Sequence, residues 1–302
     1  VKFEGIYTPA ITPLSADGSI DTQAFAEVLE FLVESKVHGI VIGGSTGEYY
    51  AHTAEERLAL AAHASEVIAG RLPLVVGTGA IRTEDSLAYA EAARAIGADA
   101  ILVGSPPYAL PTSRGSPSTC WRWTAPPACR SCSTTIRRGW AWRWTRRSSP
   151  PSPAAATSSR SRKLRLHRAI ARLACRHPRI ALSCGWDDQA LEFFAWGARS
   201  WVCAGSNFIP GEHLALYQAC VVENDFAKGR RIMAAMMPLM DFLESGHFVQ
   251  SIKHGCELAG LRAGGVRAPL KALDEAGKAA LAEIVARLKG EVARIVEGGR
   301  HD

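Results

Sequence analysis

Short apolar runs alternate with helix-length amphipathic stretches through the first part of the chain, and this alternation restricts the fold more than any other feature. Gly5-Ile6-Tyr7-Thr8-Pro9-Ala10-Ile11-Thr12 reads as a first strand, and Asp17-Gly18 as a turn. Phe25, Val28, Leu29 and Leu32 recur at helical spacing. A second strand is expected over Gly39–Gly43. Thr53-Ala54-Glu55-Glu56 is a capping box that opens a helix through about Ala69. Leu74–Gly77 gives a third strand. A helix over roughly Thr83–Ile96, ended by Gly97, leads to a fourth strand, Ala100–Gly104. Four strand-then-helix units in about 110 residues predict a parallel α/β architecture.

The pattern resumes after residue 166. A helix is expected over about Leu166–Cys175, a strand over Ile180–Ser183, a helix over about Asp188–Trp196 and a strand over Ser200–Ala204. Two further strands from the intervening residues would bring the total to eight, the number in a TIM (β/α)8 barrel. From about Asn224 only helical periodicity remains. Phe226, Ile232, Met236, Met240 and Leu243 predict a long helix interrupted near Pro238, with the methionines filling a core. A second helix is expected over Ile252–Leu261. Leu281, Ile284, Val285, Leu288 and Val292 mark a third, over Asp274–Val296. The fold class is therefore α/β, a barrel over residues 1–223 with a C-terminal helical domain over 224–302.

The middle of the chain breaks this order. From Ile101 through Trp186 there is no acidic residue. Residues 114–165 hold 11 Arg and one Lys, five of the 8 Trp and six of the 16 Pro. Twelve of the 35 basic residues thus fall in this segment. The rest of the chain carries 23 against 29 acidic residues, so the overall charge of +6 hides a net of −6 elsewhere. No period runs through Trp140-Ala141-Trp142-Arg143-Trp144-Thr145-Arg146-Arg147. A disordered basic insertion is one reading, although such tracts are usually poor in Trp. A nucleic-acid patch is another, since arginine and aromatic side chains both suit RNA. Clustered Trp, Arg, Ser, Pro and Ala is also what a GC-rich gene yields when read out of frame.

The last reading can be tested by back-translation, starting each codon at the last nucleotide of the one before. With permitted codons, Cys129 to Arg137 can spell Leu-Pro-Val-Val-Leu-Tyr-Asn-Tyr-Pro. Arg138 to Arg147 can spell Ala-Gly-Met-Gly-Val-Ala-Met-Asp-Glu-Glu. Thr157 to Lys163 can spell Asp-Val-Ile-Ala-Ile-Lys-Glu. These are two apolar strands with an acidic helix start between them, the pieces the barrel lacks. Codon choice leaves freedom, most of all at Arg and Ser, whose codons begin with either of two letters, but at every other residue of these stretches the second letter of the shifted codon is fixed by the residue given.

Gly43-Gly44-Ser45-Thr46-Gly47-Glu48 follows the second strand directly. Glycines there let a ligand approach the backbone, and hydroxyls at a strand's carboxyl end can bind a carboxylate or relay a proton. By itself the stretch would more often be a structural turn than a site. With Ser105-Pro106-Pro107-Tyr108, Gly185-Trp186-Asp187-Asp188 and Ile252-Lys253-His254, in order and at matching spacing, it resembles the dihydrodipicolinate synthase / N-acetylneuraminate lyase superfamily of class I (Schiff-base) aldolases. The resemblance covers residues 1–113 and about 166–302. The shifted reading supplies the family's Tyr-Asn-x-Pro and Ile-Lys-Glu motifs.

The resemblance implies a mechanism. A lysine ending the sixth barrel strand attacks the ketone of pyruvate or another 2-oxo acid, and the iminium formed acts as an electron sink. A tyrosine ending the fifth strand moves protons. Carried over, Ser45 is the relay hydroxyl, Thr46 helps hold the substrate carboxylate, and Tyr108 is a tyrosine lent by the adjacent subunit of a homotetramer. Gly185 and Val202 line the pocket. Capping by Ser45 and Thr46, and interface packing by Tyr108, are the bland readings of the same residues. Asp187 and Asp188 are expected to favour a helix start rather than to hold a metal.

The two central catalysts do not carry over. The tyrosine position falls at Thr134 and the lysine position at Arg162, with Lys163 next to it. Guanidinium stays protonated and cannot form a Schiff base. Lys163 could do so only if burial lowered its pKa, and its cationic neighbours do not read as a buried strand. As written, the chain is expected to have little or no aldolase activity; with the shifted middle it is expected to be active. The shifted motif is followed by Ala-Gly-Met-Gly rather than by the synthase's carboxylate-binding arginine. Pro107 replaces a tyrosine usual in the synthase. Both favour a sibling that cleaves, dehydrates or deaminates a 2-oxo sugar acid or similar substrate.

The remaining expectations are exclusions. No apolar run is long enough to span a bilayer, and Val1-Lys2-Phe3-Glu4-Gly5 lacks a signal-peptide pattern, which points to the cytoplasm. Eight scattered cysteines fit reduced thiols. Cys129-Arg130-Ser131-Cys132 has zinc or redox spacing but no second pair or nearby histidine. No cofactor, metal, membrane or nucleic-acid partner is expected for the lyase. The alternatives are an inactive scaffold or a nucleic-acid-binding protein using residues 114–165.

Overall fold

A computed structural model describes residues 3–104, 132–133, 175 and 181–298. Seven parallel strands form one sheet: β1 (Gly5–Pro9), β2 (Gly39–Ile42), β3 (Leu74–Gly77), β4 (Ala100–Leu102), β5 (Cys132–Ser133), β6 (Ser183–Cys184) and β7 (Ser200–Val202). Their order is β5-β4-β3-β2-β1-β7-β6. The first strand is an interior one, with Tyr7 opposite Gly39 on one side and Val202 on the other. Starting at β1, the order runs up to β5 in one direction and back through β7 and β6 in the other, as a (β/α)8 barrel requires.

β1, β2 and β3 are buried along their whole length, and β2 and β3 accordingly read as unbroken apolar runs. Neighbouring side chains on a strand point to opposite faces. Tyr7, Val41, Val75, Ala100 and Val202 accordingly form one cluster, inside the curve of the sheet. Ile6, Ile40, Ile42, Leu74, Val76, Ile101 and Trp201 belong to a second and larger cluster, shared with the helices.

The helices are α1 (Thr22–Glu34), α2 (Ala54–Ile68), α3 (Thr83–Ala95), α4 (Ala190–Ala195), α5 (Pro210–Tyr217), α6 (Phe226–Leu243), α7 (Phe248–Leu258) and α8 (Glu275–Gly298). The stripe expected for α1 is the buried one: Phe25, Val28, Leu29 and Leu32. Thr53 and Glu56 form both halves of the capping box at the start of α2. Met233, Met236 and Met240 lie in the core of α6, which packs against α8.

Three expectations need correction. Pro238 does not interrupt α6. It removes one hydrogen bond to the carbonyl four residues back, on Ala234, but Ala234 is exposed and water can take that place. The helix expected over Ile252–Leu261 starts earlier, at Phe248, and ends before Gly260, whose φ of 85° stops it. Helix α5, with a π-helical extension over Gln218–Val222, was not expected from periodicity, although Pro210 at its first turn is a start signal.

Candidate active site

The loop after β2 is shaped by close contacts. Gly43 has φ +71°, and a side chain on Gly77 would place its Cβ 2.1 Å from the Gly43 carbonyl oxygen. Only glycines let the exits of β2 and β3 touch in this way. The turn then closes on itself: Gly47 N–H donates to the Gly44 carbonyl (3.1 Å) and Glu48 N–H to that of Ser45 (3.2 Å). The Thr12 hydroxyl, just past β1, donates to the Gly47 carbonyl at 2.9 Å.

Ser45 and Thr46 stand at the crest of this turn. Thr46 is fully buried. The Ser45 hydroxyl oxygen is shielded from solvent and has no hydrogen-bond partner among the described residues. A buried hydroxyl without a partner is costly, so the geometry suits a ligand oxygen. The structure places both residues, Gly185 just after β6, and Val202, the last residue of β7, at the carboxyl ends of parallel strands. This is the end of a barrel where active sites form. Val202 is buried against the inner cluster with Tyr7 and Val41.

A hydrogen-bond network ties these strand ends together. Asn207 accepts from Ile11 N–H (3.2 Å) and donates to the carbonyls of Pro9 (2.9 Å) and Ala204 (2.8 Å). The Thr8 and Ser206 hydroxyls pair at 2.7 Å. Asp187, expected only to favour a helix start, opens a 3-10 turn and also accepts from Ala204 N–H (3.1 Å) and the Trp201 indole (3.3 Å). It thereby joins the exits of β6 and β7. The sequence reading singled out Gly185-Trp186-Asp187-Asp188 but did not reveal who bonds to whom.

Three titratable groups nearby are held in inert forms. Burial pushes the Cys184 and Cys203 thiols well up, so neither supplies a thiolate at neutral pH. The Tyr7 phenol is pushed up to about 12, chiefly by burial, and stays protonated. Among the described residues no group of three or more His, Cys, Asp or Glu side chains could hold a metal ion. A cleft of about 270 Å³ lies elsewhere, on the helix side of β2 and β3, between Arg57 and Ala61 of α2 and Tyr89 of α3. Arg57 lies 3.9 Å from the Tyr89 ring centroid and donates to the Gly77 carbonyl at 2.8 Å, so it braces the β3 exit from behind.

One pair escaped the sequence reading. Lys253 Nζ lies 2.7 Å from Glu48 Oε1, with both side chains almost completely buried. Lys253 belongs to the motif Ile252-Lys253-His254, and Glu48 closes the Ser45–Thr46 turn. Tyr108, Thr134, Arg162 and Lys163 lie outside the described residues.

The sequence model of the Dihydrodipicolinate synthetase family matches residues 2–118 and 161–288. The 4-hydroxy-tetrahydrodipicolinate synthase of Exiguobacterium sibiricum is 31% identical over 314 residues, covering 96% of this chain and 99% of the relative. The N-acetylneuraminate lyase of Rhizobium meliloti is 28% identical, covering 95% of each chain. The solved structure of the 4-hydroxy-tetrahydrodipicolinate synthase from Methylacidiphilum fumariolicum SolV superposes with a TM-score of 0.80, covering 98% of this chain and 99% of that one, at 24% identity. The barrel order, the loop after β2 and these matches agree, and the chain belongs to the dihydrodipicolinate synthetase family of enzymes.

Proposed function

We propose that this protein is a class I, Schiff-base-forming lyase for pyruvate or another 2-oxo acid, and that residues 114–165 are an out-of-frame rendering of the segment carrying its two central catalysts. The observation that carries the second half is an interruption. The family match stops at residue 118 and resumes at 161, close to the ends of the anomalous segment. Strand β5 adds support. It sits at Cys132–Ser133, parallel to β4, with Ile101 opposite Cys132. The shifted reading puts Val and Leu at these two positions and a tyrosine at the next, Thr134.

In the proposed enzyme the lysine of the shifted Ile-Lys-Glu, at the position of Arg162, adds its amine to the substrate ketone and expels water. The iminium accepts the electron pair as a bond next to it breaks. The tyrosine at the position of Thr134 carries protons, with the Ser45 hydroxyl and Tyr108 extending the relay. Thr46 and the backbone of the Gly44–Gly47 turn hold the carboxylate, while Gly185 and Val202 bound the pocket. As written, Arg162 cannot be that nucleophile, and Lys163 could be only if burial lowered its pKa. The absent arginine after the shifted Tyr-Asn-x-Pro, together with Pro107, favours a 2-oxo sugar acid or similar substrate over the lysine-biosynthetic one. We further propose a barrel over 1–223 with a helical domain over 224–302, assembled as a cytoplasmic homotetramer. No helix among the described residues is long and apolar enough to cross a membrane.

Two measurements on protein expressed from the natural gene test this. A peptide mass map should return the shifted peptides in place of those containing Trp140 to Trp144. Borohydride with pyruvate should leave a stable adduct on a single lysine. Peptides matching residues 114–165 as written would remove the frame argument. A protein with the shifted peptides that no 2-oxo acid labels would remove the Schiff-base assignment.

A further inference from the structure

Lys253 takes no part in the chemistry proposed above, yet it is buried on α7 beside the substrate loop. Its Nζ pairs with Glu48 Oε1 at 2.7 Å and donates to the Gly265 carbonyl. The other Glu48 oxygen accepts from the backbone N–H of Arg267 at 3.2 Å. The Arg267 side chain in turn donates to the carbonyls of Ala51 (2.8 Å) and Gly18 (3.2 Å) and grips the Glu56 carboxylate (2.7 Å). Glu48 has φ 56°, a left-handed conformation uncommon for a residue with a side chain, and its N–H closes the turn on Ser45. Burial lowers the Lys253 pKa, and the Glu48 carboxylate opposes that shift. An ion pair this deep is a poor source of stability compared with apolar packing, so what it contributes is a defined position.

We propose that Lys253 is a positioning residue: through Glu48 it fixes the Gly44–Glu48 turn from the C-terminal helices, so that Ser45 is presented to the proton relay and Thr46 to the substrate carboxylate. The ligand in this statement rests on the function proposed above; the mechanical part does not. Four full-length variants of the protein expressed from the natural gene separate the two: Lys253→Met, Lys253→Arg, Glu48→Gln, and the neutral double variant Glu48→Gln/Lys253→Met. Amide hydrogen exchange of residues 44–51 should speed up about tenfold or more in Lys253→Met while α1 and α6 stay protected. For pyruvate, KM should rise about tenfold with a smaller change in kcat, and Lys253→Arg should recover part of that loss. The double variant, free of unpaired buried charge, should fold like the parent yet keep the loose loop and the raised KM. A double variant with parental loop exchange and parental KM would overturn the proposal. If the parent itself binds no 2-oxo acid, the proposed function fails and loop exchange alone decides the role of Lys253.

Discussion

Ser45 combines two properties that rarely coincide, a hydroxyl hidden from water and no hydrogen-bond partner for it among the described residues. Its removal should therefore affect activity and stability in opposite ways. In the active enzyme, Ser45→Ala is expected to lower kcat/KM about 100-fold, as loss of a proton-relay group does. Unfolding in urea should show no loss of stability, because an unsatisfied polar atom has been deleted. His213 gives a pH prediction. It is fully buried, 4.7 Å from the Trp201 ring, with Nδ1 2.8 Å from the Ile209 carbonyl, and burial lowers its pKa to about 4. The unfolded chain takes up a proton near the ordinary value of about 6.5 and the native state does not. Stability should therefore fall as pH drops from about 6.5 to about 4, by about 3 kcal/mol in all. Urea midpoints across that range should show the slope, and His213→Leu should flatten it. Ser45 and Thr46 were legible in the sequence because they follow an apolar strand directly. The Glu48–Lys253 pair was not: each residue belongs to a motif, but the two lie far apart in the chain and nothing local says that they meet.

At the scale of elements, legibility followed the locality of the signal. The start of α2 was readable because Thr53 and Glu56 satisfy each other within one turn, Thr53 N–H to Glu56 Oε2 at 2.8 Å and Glu56 N–H to Thr53 Oγ1 at 3.2 Å. Thr53→Ala should cost about 1 kcal/mol in a denaturant titration. Pro238 misled because a local rule met a tertiary fact: Ile232, Met236, Leu239 and Met240 are buried along α6, and one missing hydrogen bond on the wet side does not break it. Helix α5 was hidden for a related reason. Its eight residues bury His213, Leu216 and Tyr217, too short a stretch for a period to stand out.

Over the whole molecule, the sequence made the barrel readable wherever each strand and its helix obeyed their own periods, and unreadable from residue 114 to 165, where none holds. The charge balance follows the same boundary. The chain as written has a sequence pI of about 9.0, but the net charge outside that segment is −6. Isoelectric focusing of the natural protein should place it on the acidic side of neutral, and a basic pI would count against the shifted reading. The family match and the 31% identical synthase leave the nucleic-acid alternative without a supporting observation.

The interior place of β1 has a cost during synthesis. It pairs with β2 within the first few dozen residues, but its other edge waits for Ser200–Val202. Until most of the polypeptide has left the ribosome, that bare edge is open to stray pairing. Closure comes late, through a contact between distant parts of the chain, which is the kind of step that makes folding slow.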